Sequence, residues 1–169
     1  AAAPVLPTEP TDTPFVPKDP PAKKPVVNAV TSVAYSPDGK SYAVGGADFR
    51  IFVFKAATGR LVTTLKGHGA PITDLAYDRT GKVLASASRD STIRLWNPRT
   101  GKQLRVLSGH SQAVLSVAFN PNGRRLISGG EDSRALLWNA TNGRLIRPIA
   151  ALGNFVTTVT YSARGKIAA

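Results

Sequence analysis

From residue 29 onward, short runs of apolar, branched and aromatic residues are broken by clusters of Gly, Asn, Asp, Ser and Thr. Ile72–Asp78, Val83–Ser88, Thr92–Asn97 and Leu104–Ser108 each read as a strand on this pattern. The gaps between them, Arg79-Thr80-Gly81, Arg89-Asp90-Ser91 and the stretch around Thr100-Gly101, have turn composition. Gaps this short predict antiparallel pairing of successive strands in a meander. No stretch keeps a convincing helical period.

The pattern repeats with a step of 42 residues. Gly39, Gly81, Gly123 and Gly165 keep that step, as do Asp48, Asp90 and Asp132, and Gly59, Gly101 and Gly143. The apolar positions follow it too: Val33, Leu75, Val117 and Val159, then Tyr35, Tyr77, Phe119 and Tyr161. A repeat of this length, made of four short strands, predicts an array of stacked sheets. Gly45-Gly46 and Gly129-Gly130 fall inside strands, where a small residue is needed beside a close neighbour. Residues 1–28 read differently. Eight of the 13 prolines lie in the first 25 residues. Proline removes a ladder donor and fixes φ, so this is an extended linker or tail. Pro4–Pro7 and Pro14–Pro17 fit a P-x-x-P ligand, but most Pro-rich segments are spacers and that is the expected role.

The motifs within the repeat carry a family resemblance. Gly67-His68 and Gly109-His110 are each followed by a Trp 28 residues after the His, Trp96 and Trp138, which end Thr-Ile-Arg-Leu-Trp-Asn and Arg-Ala-Leu-Leu-Trp-Asn. Tyr35-Ser-Pro-Asp-Gly39 recurs as Phe119-Asn-Pro-Asn-Gly123, and Leu84-Ala-Ser-Ala-Ser-Arg-Asp90 as Leu126-Ile-Ser-Gly-Gly-Glu-Asp132. The chain resembles the WD40-repeat family. The resemblance implies an all-β propeller of four-stranded antiparallel blades, with about three and a third blades over residues 29–169, in units 29–66, 67–108, 109–150 and a truncated 151–169. Where the family has Asp after the Trp, this chain has Asn97 and Asn139.

The resemblance also implies two structural hydrogen-bonded tetrads: His68, Ser86, Asp90 and Trp96, then His110, Ser128, Asp132 and Trp138. An indole N–H is only a donor and needs an acceptor when buried, which a Ser hydroxyl supplies. The Ser donates to the imidazole, whose other nitrogen donates to Asp, so every polar group is matched. Both sets contain Ser, His and Asp, yet they recur at one register and lack a nucleophile elbow or oxyanion loop, so a scaffold role is expected rather than hydrolysis. The first unit has Val26, Val44, Asp48 and Phe54 at these positions, and so keeps only the Asp.

Charge then changes the picture. The chain has 22 Lys+Arg against 10 Asp+Glu, a formal net charge of +12. The first 28 residues balance, so the repeats carry the excess. In the family, first-to-second and third-to-fourth strand turns share one face of the disc. On or beside those turns fall Lys40, Lys55, Arg60, Arg79, Lys82, Arg99, Lys102, Arg124, Arg125, Arg144, Arg164 and Lys166, opposed only by Asp38 and Asp78. That face is a candidate for nucleic acid or another polyanion, although solvated turn ends and solubility are the plainer account. The turns themselves hold no interleaved aromatics, which disfavours single-strand base readout. On the opposite face, Ala47, Asp48, Arg89, Ser91, Glu131 and Ser133, with Pro71 and Gln112 of the entering loops, are candidates for contact with protein partners. Their side chains vary between units while the framework does not.

Cys and Met are absent and there are two His, so disulfides and thiolate sites are excluded, and neither a metal nor a cofactor is expected. No apolar run reaches the length of a membrane span. Asn139-Ala-Thr141 is a glycosylation sequon. The compartment stays open, leaning to a soluble, intracellular one. The expected function is a non-catalytic scaffold for protein–protein interaction in a larger assembly, with a basic propeller subunit of a ribonucleoprotein-type complex as the alternative. Known propellers close with roughly four to eight blades. Further blades are therefore expected from a longer chain or from other copies. The segment Pro21–Lys24, in register with the fourth strand Arg105–Ser108, is proline-interrupted and is not expected to close a ring.

Overall fold

A computed structural model describes residues 29–151 and 153–168, and the expectation for the segment around residues 19–24 lies outside them. Among the described residues there are fourteen strands and no helix. The first sheet is β1 (Val30–Tyr35), β2 (Ser41–Gly46), β3 (Ile51–Lys55) and β4 (Leu61–Leu65). The second is β5 (Ile72–Tyr77), β6 (Leu84–Ser88), β7 (Thr92–Trp96) and β8 (Gln103–Ser108), and the third β9 (Val114–Phe119), β10 (Arg125–Gly130), β11 (Arg134–Asn139) and β12 (Leu145–Ala151). A fourth begins with β13 (Thr160–Tyr161) and β14 (Ile167–Ala168). Each sheet keeps sequence order and pairs antiparallel throughout. The meander follows from the short turns, and the strands begin and end within a residue or two of the runs that predict them.

The sheets stack face to face, with the first strands β1, β5, β9 and β13 in succession. Ala43, Ile51, Val53 and Leu65 of the first sheet bury against Ile72, Leu75, Leu84 and Trp96 of the second. Ala85, Ala87, Ile93, Leu95 and Leu107 do the same against Val114, Val117, Leu126, Leu136 and Trp138 of the third. Ile127 and Ala135 pack on Val156 and Val159. Period-two alternation on each strand therefore feeds two interfaces, one on each side of the sheet. At roughly 25 cal/mol per Å² of apolar area, these interfaces are the main source of stability.

The two faces at the ends of the stack differ from those between sheets. Ile72 and Leu75 are 0% and 6% exposed, whereas Val30 and Val33, at the same register in the first sheet, are 55% and 52% exposed. Tyr42, Val44, Phe52 and Phe54 form an aromatic cluster on this side, with the Tyr42 and Phe54 rings stacked at 5.2 Å.

Close approach between sheets sets the small in-strand positions. A Cβ on Gly129 would lie 2.8 Å from the carbonyl oxygen of Val156 and 2.5 Å from its Cγ1. The corresponding residue in the second sheet is Ala87, which is fully buried. Gly129→Ala is therefore expected to push the 154–161 segment off β10, at a cost of about 1–3 kcal/mol for overpacking against backbone. Urea denaturation reads the cost, and faster amide exchange at Val156 and Val159 locates it.

Candidate interaction faces

The four tetrad side chains come from two strands, the turn between them and the entering loop. His68 stands in the loop between β4 and β5, Ser86 on β6, Asp90 in the β6–β7 turn and Trp96 on β7. The Trp96 indole donates to Ser86 Oγ at 2.8 Å, His68 Nε2 lies 2.7 Å from the same oxygen, and His68 Nδ1 lies 2.7 Å from Asp90 Oδ2. The Asp90 carboxylate also accepts from the amides of Gly69 (3.0 Å) and Thr92 (2.9 Å), fixing the entering loop to the turn. In the third sheet, Trp138 donates to Ser128 Oγ at 2.8 Å, and His110 bridges Ser128 at 2.7 Å and Asp132 at 2.9 Å. There Arg134 adds hydrogen bonds to Asp132 and to the carbonyl of Gly109. Ser86 and Ser128 are both 0% exposed. Their hydroxyls already serve an indole and an imidazole, so neither can reach a substrate carbonyl in solvent.

Burial pushes the imidazoles of His68 and His110 below their ordinary value, against the raising pull of Asp90 and Asp132. Burial alone would raise the two carboxyls. For Asp90 the hydrogen bonds from Thr92, Gly69 and His68 outweigh it, and for Asp132 those from His110, Ser111 and Arg134, so both are held down to about 2. All four groups thus bind protons more weakly folded than unfolded. Stability is then complete above pH 6.5 and falls on acidification in two stages. The imidazoles contribute the first stage, beginning below the ordinary histidine value of 6.5, and the carboxylates the second, from 3.8 down to about 2. Each carboxylate is expected to account for about 1–2 kcal/mol after allowance for solvent screening. Urea midpoints measured from pH 8 down to 2 check both stages; a midpoint that rose below pH 6 would reverse the assignment.

The second-to-third strand turns gather the loop-face residues. The Arg89 amide donates to the Pro71 carbonyl (3.0 Å) and the Glu131 amide to the Ala113 carbonyl (2.9 Å), which docks each turn on its entering loop. Arg89 Nη1 reaches Glu131 Oε1 at 3.2 Å, so one ion pair joins neighbouring turns. Asp48 is not part of that link: it pairs with Arg50 at 2.6 Å within its own turn. Ala47 and Pro71 are half-buried and Gln112 is exposed. Ser91 and Ser133 adopt left-handed φ of 66° and 61°, and the first sheet places Phe49 there, with φ 68° and 40% exposure. A left-handed bulky residue costs about 1–2 kcal/mol, so Phe49 is held at this turn against its own preference. Its neighbours in sequence, Asp48 and Arg50, gave no sign of this; the shared register with Ser91 and Ser133 shows it only once the backbone is known.

The other two turns of each sheet lie at the opposite end. The Ala56 amide donates to the Lys40 carbonyl (2.9 Å) and the Ala140 amide to the Arg124 carbonyl (3.0 Å), so the two basic turns of a sheet touch. Lys40, Lys55, Arg60, Arg79, Lys82, Arg99, Lys102, Arg124, Arg125, Arg144, Arg164 and Lys166 are all exposed. None of them joins an ion pair among the described residues. The two acids here are spent on their own turns. Asp38 accepts from Ser36 Oγ (2.6 Å) and the Lys40 amide (3.0 Å), bonds that hold its carboxyl low. Asp78 is buried and accepts from the Val83 amide (2.8 Å) and from Thr80. Between the second and third sheets, a groove lined by Tyr77, Arg79, Phe119, Asn120, Pro121 and Ala163 opens on this face. Phe119 also lines a second groove with Val83, Leu95 and Arg105.

The family profile described as WD domain, G-beta repeat matches residues 26–55, 59–97 and 101–139. The chain belongs to the WD40-repeat family. The second and third matched WD40 segments run from the fourth strand of one sheet to the third strand of the next, β4–β7 and β8–β11. Sequence repeat and sheet are thus out of phase there, so each of these two repeats ties two blades together. Two solved structures share the propeller architecture, one titled U3-55K and one RRP9 WD40 repeats, each with a TM-score of 0.76 and 22% identity. In both comparisons 79% of this chain is covered, and the chain spans 42% of the other. A search of curated proteins gives no match.

Asp74 is a site residue that the motif analysis passed over. Its carboxylate accepts from Ser116 Oγ (3.0 Å) and the Val117 amide (2.9 Å) of the third sheet, and stands 3.4 Å from Ser32 Oγ of the first. Ser32, Asp74 and Ser116 are each 42 residues apart, so the period itself was the available signal.

Proposed function

We propose that this WD40 chain is a non-catalytic scaffold that holds protein partners within a larger assembly through its loop face. The observation that carries the reading is Phe49, an exposed aromatic kept in a costly left-handed second-to-third strand turn, the kind of turn that in the next two sheets carries the Arg89–Glu131 link. Exposed aromatic and Arg side chains on a rigid support are the usual anchors of protein recognition. Ala47, Asp48, Ser91, Ser133, Pro71 and Gln112, on the same turns and entering loops, are the proposed rim. On this reading a further blade, from more of the same polypeptide or from another copy, stacks where Val30, Val33 and Tyr35 of β1 are exposed; native mass spectrometry tells these apart. The test of the scaffold reading is affinity capture, in about 300 mM salt to suppress ionic binding, with Phe49→Ser and Arg89→Ala as paired variants. One protein captured by the parent and lost from both variants is the expected result. Capture unchanged by either variant would remove the loop face from consideration. Hydrolytic turnover abolished by Ser86→Ala with the fold intact would overturn the non-catalytic reading.

A second reading is favoured by a separate observation, the uncommitted cations of the turn face. They suit a polyanion, as in a subunit of a ribonucleoprotein-type complex. Charge reversal at Arg124, Arg125 and Arg144 is expected to abolish heparin binding and leave the partner captured through the loop face in place.

A further inference from the structure

The turn-face cations are not scattered. Lys40, Lys82, Arg124 and Lys166 each follow the glycine of the first-to-second strand turn, and Gly39, Gly81, Gly123 and Gly165 have φ between 67° and 76°. Arg60, Lys102 and Arg144 each follow the glycine of the third-to-fourth turn, where φ is 63° to 77°. The left-handed glycines give every turn the same shape, so each cation leaves the backbone at the same place in its blade. Because the sheets stack in succession, the result is two concentric arcs of exposed cations, one residue per blade. The amide links at Ala56 and Ala140 keep the arcs side by side.

We infer that this face binds a single-stranded nucleic acid, with its phosphates along the two arcs and a base entering the groove of Tyr77, Arg79 and Phe119. This rests on the polyanion reading above and narrows it. Three features of the surface separate the strand from other polyanions. Regular spacing matches a polymer with one charge per repeat unit, whereas acidic protein segments carry charge irregularly. The arcs curve with the stack, which a single strand follows and a duplex, stiff over about 150 base pairs, follows only at a bending cost. The groove sets the Tyr77 and Phe119 rings beside one cation, Arg79, and bases can use such rings by stacking while lipid headgroups cannot. The turns have no aromatics of their own; the fold brings Tyr77 and Phe119 to this face from the ends of β5 and β9.

The test is fluorescence anisotropy of a labelled oligouridylate with the whole chain, across a salt series of about 50–400 mM. Neutralising four or more phosphates predicts a log–log salt slope of about −3 or steeper. The triple variant Lys82→Ala/Arg124→Ala/Arg144→Ala is expected to bind at least about tenfold more weakly and to flatten the slope by about 2. Arg89→Ala, on the other face, is expected to change neither. Phe119→Leu keeps an apolar contact with Val83 but removes the ring, and is expected to weaken oligouridylate about fivefold or more while leaving heparin unchanged. Photocrosslinking of the unmodified chain to a 4-thiouridine oligonucleotide covers the case in which a variant fails to fold; adducts on the peptides holding Tyr77 and Phe119 support the site, and adducts confined to other peptides refute it. If neither heparin nor oligouridylate binds, the polyanion reading falls and this inference with it. If heparin binds but oligouridylate does not, only the single-strand assignment falls. Tighter binding to a duplex of equal length, or to phosphatidylserine-containing vesicles, would likewise overturn it.

Discussion

Ser86→Ala is expected to destabilise the protein by about 3–4 kcal/mol, although it removes a single oxygen atom. That oxygen accepts from the Trp96 indole and faces His68 Nε2, and it is fully buried. Its loss leaves a buried donor and a buried acceptor unmatched, each costing about 1–3 kcal/mol. Alanine also fits the strand, so the effect cannot come from crowding or propensity. The first sheet shows how else the position can be filled: Val44 and Phe54 stand where Ser86 and Trp96 do, and neither side chain has a polar atom to satisfy. The double variant Ser86→Ala/Trp96→Phe removes the orphan indole and is expected to be more stable than the sum of its single changes by about 1 kcal/mol or more. Urea denaturation of the parent, both singles and the double measures the coupling. A Ser86→Ala cost below about 1 kcal/mol would show that water or another acceptor takes the hydroxyl's place, and the tetrad would then not support the blade.

Much of this fold was legible because its information is periodic. Strand, turn and strand recur every 42 residues, and the residue types with exacting hydrogen-bond needs, Trp, His and Asp, recur with them. Short turns leave the chain no pairing but the meander. The loop face was legible as a set of positions but not as chemistry. That Arg89 is occupied by Glu131 depends on how far apart neighbouring turns stand, and that Asp48 is occupied by Arg50 depends on the shape of their own turn. Phe49 looks like an ordinary turn-flanking residue until its left-handed φ is known. On the basic face, the cations could be counted in the sequence, but Tyr77 and Phe119 belong to strands there and join the cations only when the second and third sheets meet. What the sequence hides is either the backbone shape of a single turn, as at Phe49 and Asp48, or a contact between sheets, as at Arg89–Glu131 and at Tyr77 with Phe119.

Asp74→Ala is the second large expected effect, and it acts on the stacking of blades rather than on one of them. A single carboxylate touches the first strands of three sheets, through Ser32, its own β5, and Ser116 with the Val117 amide. Ser116 Oγ in turn accepts from the Val159 amide at 3.2 Å, which extends the chain of hydrogen bonds to the fourth segment. Ser116, Val117 and Val159 are all buried, so water does not easily replace the lost acceptor. Hydrogen bonds to a charged group are worth about 1.5–3 kcal/mol each, and two of those here cross to the third sheet within 3.0 Å. A total cost of about 3–4 kcal/mol follows, with the 3.4 Å contact to Ser32 adding little. In a repeat array, stability is a sum of unit and interface terms, so weakening an interface lowers cooperativity as well as stability. Asp74→Ala is therefore expected to reduce the urea m-value and to raise amide exchange at Val117 and Val159, which Ser86→Ala is not. Asp74→Asn keeps one acceptor oxygen and turns an amide donor towards the other contact, so about half the loss is expected. An unchanged m-value with a cost below about 1 kcal/mol would show that the apolar faces alone couple the blades.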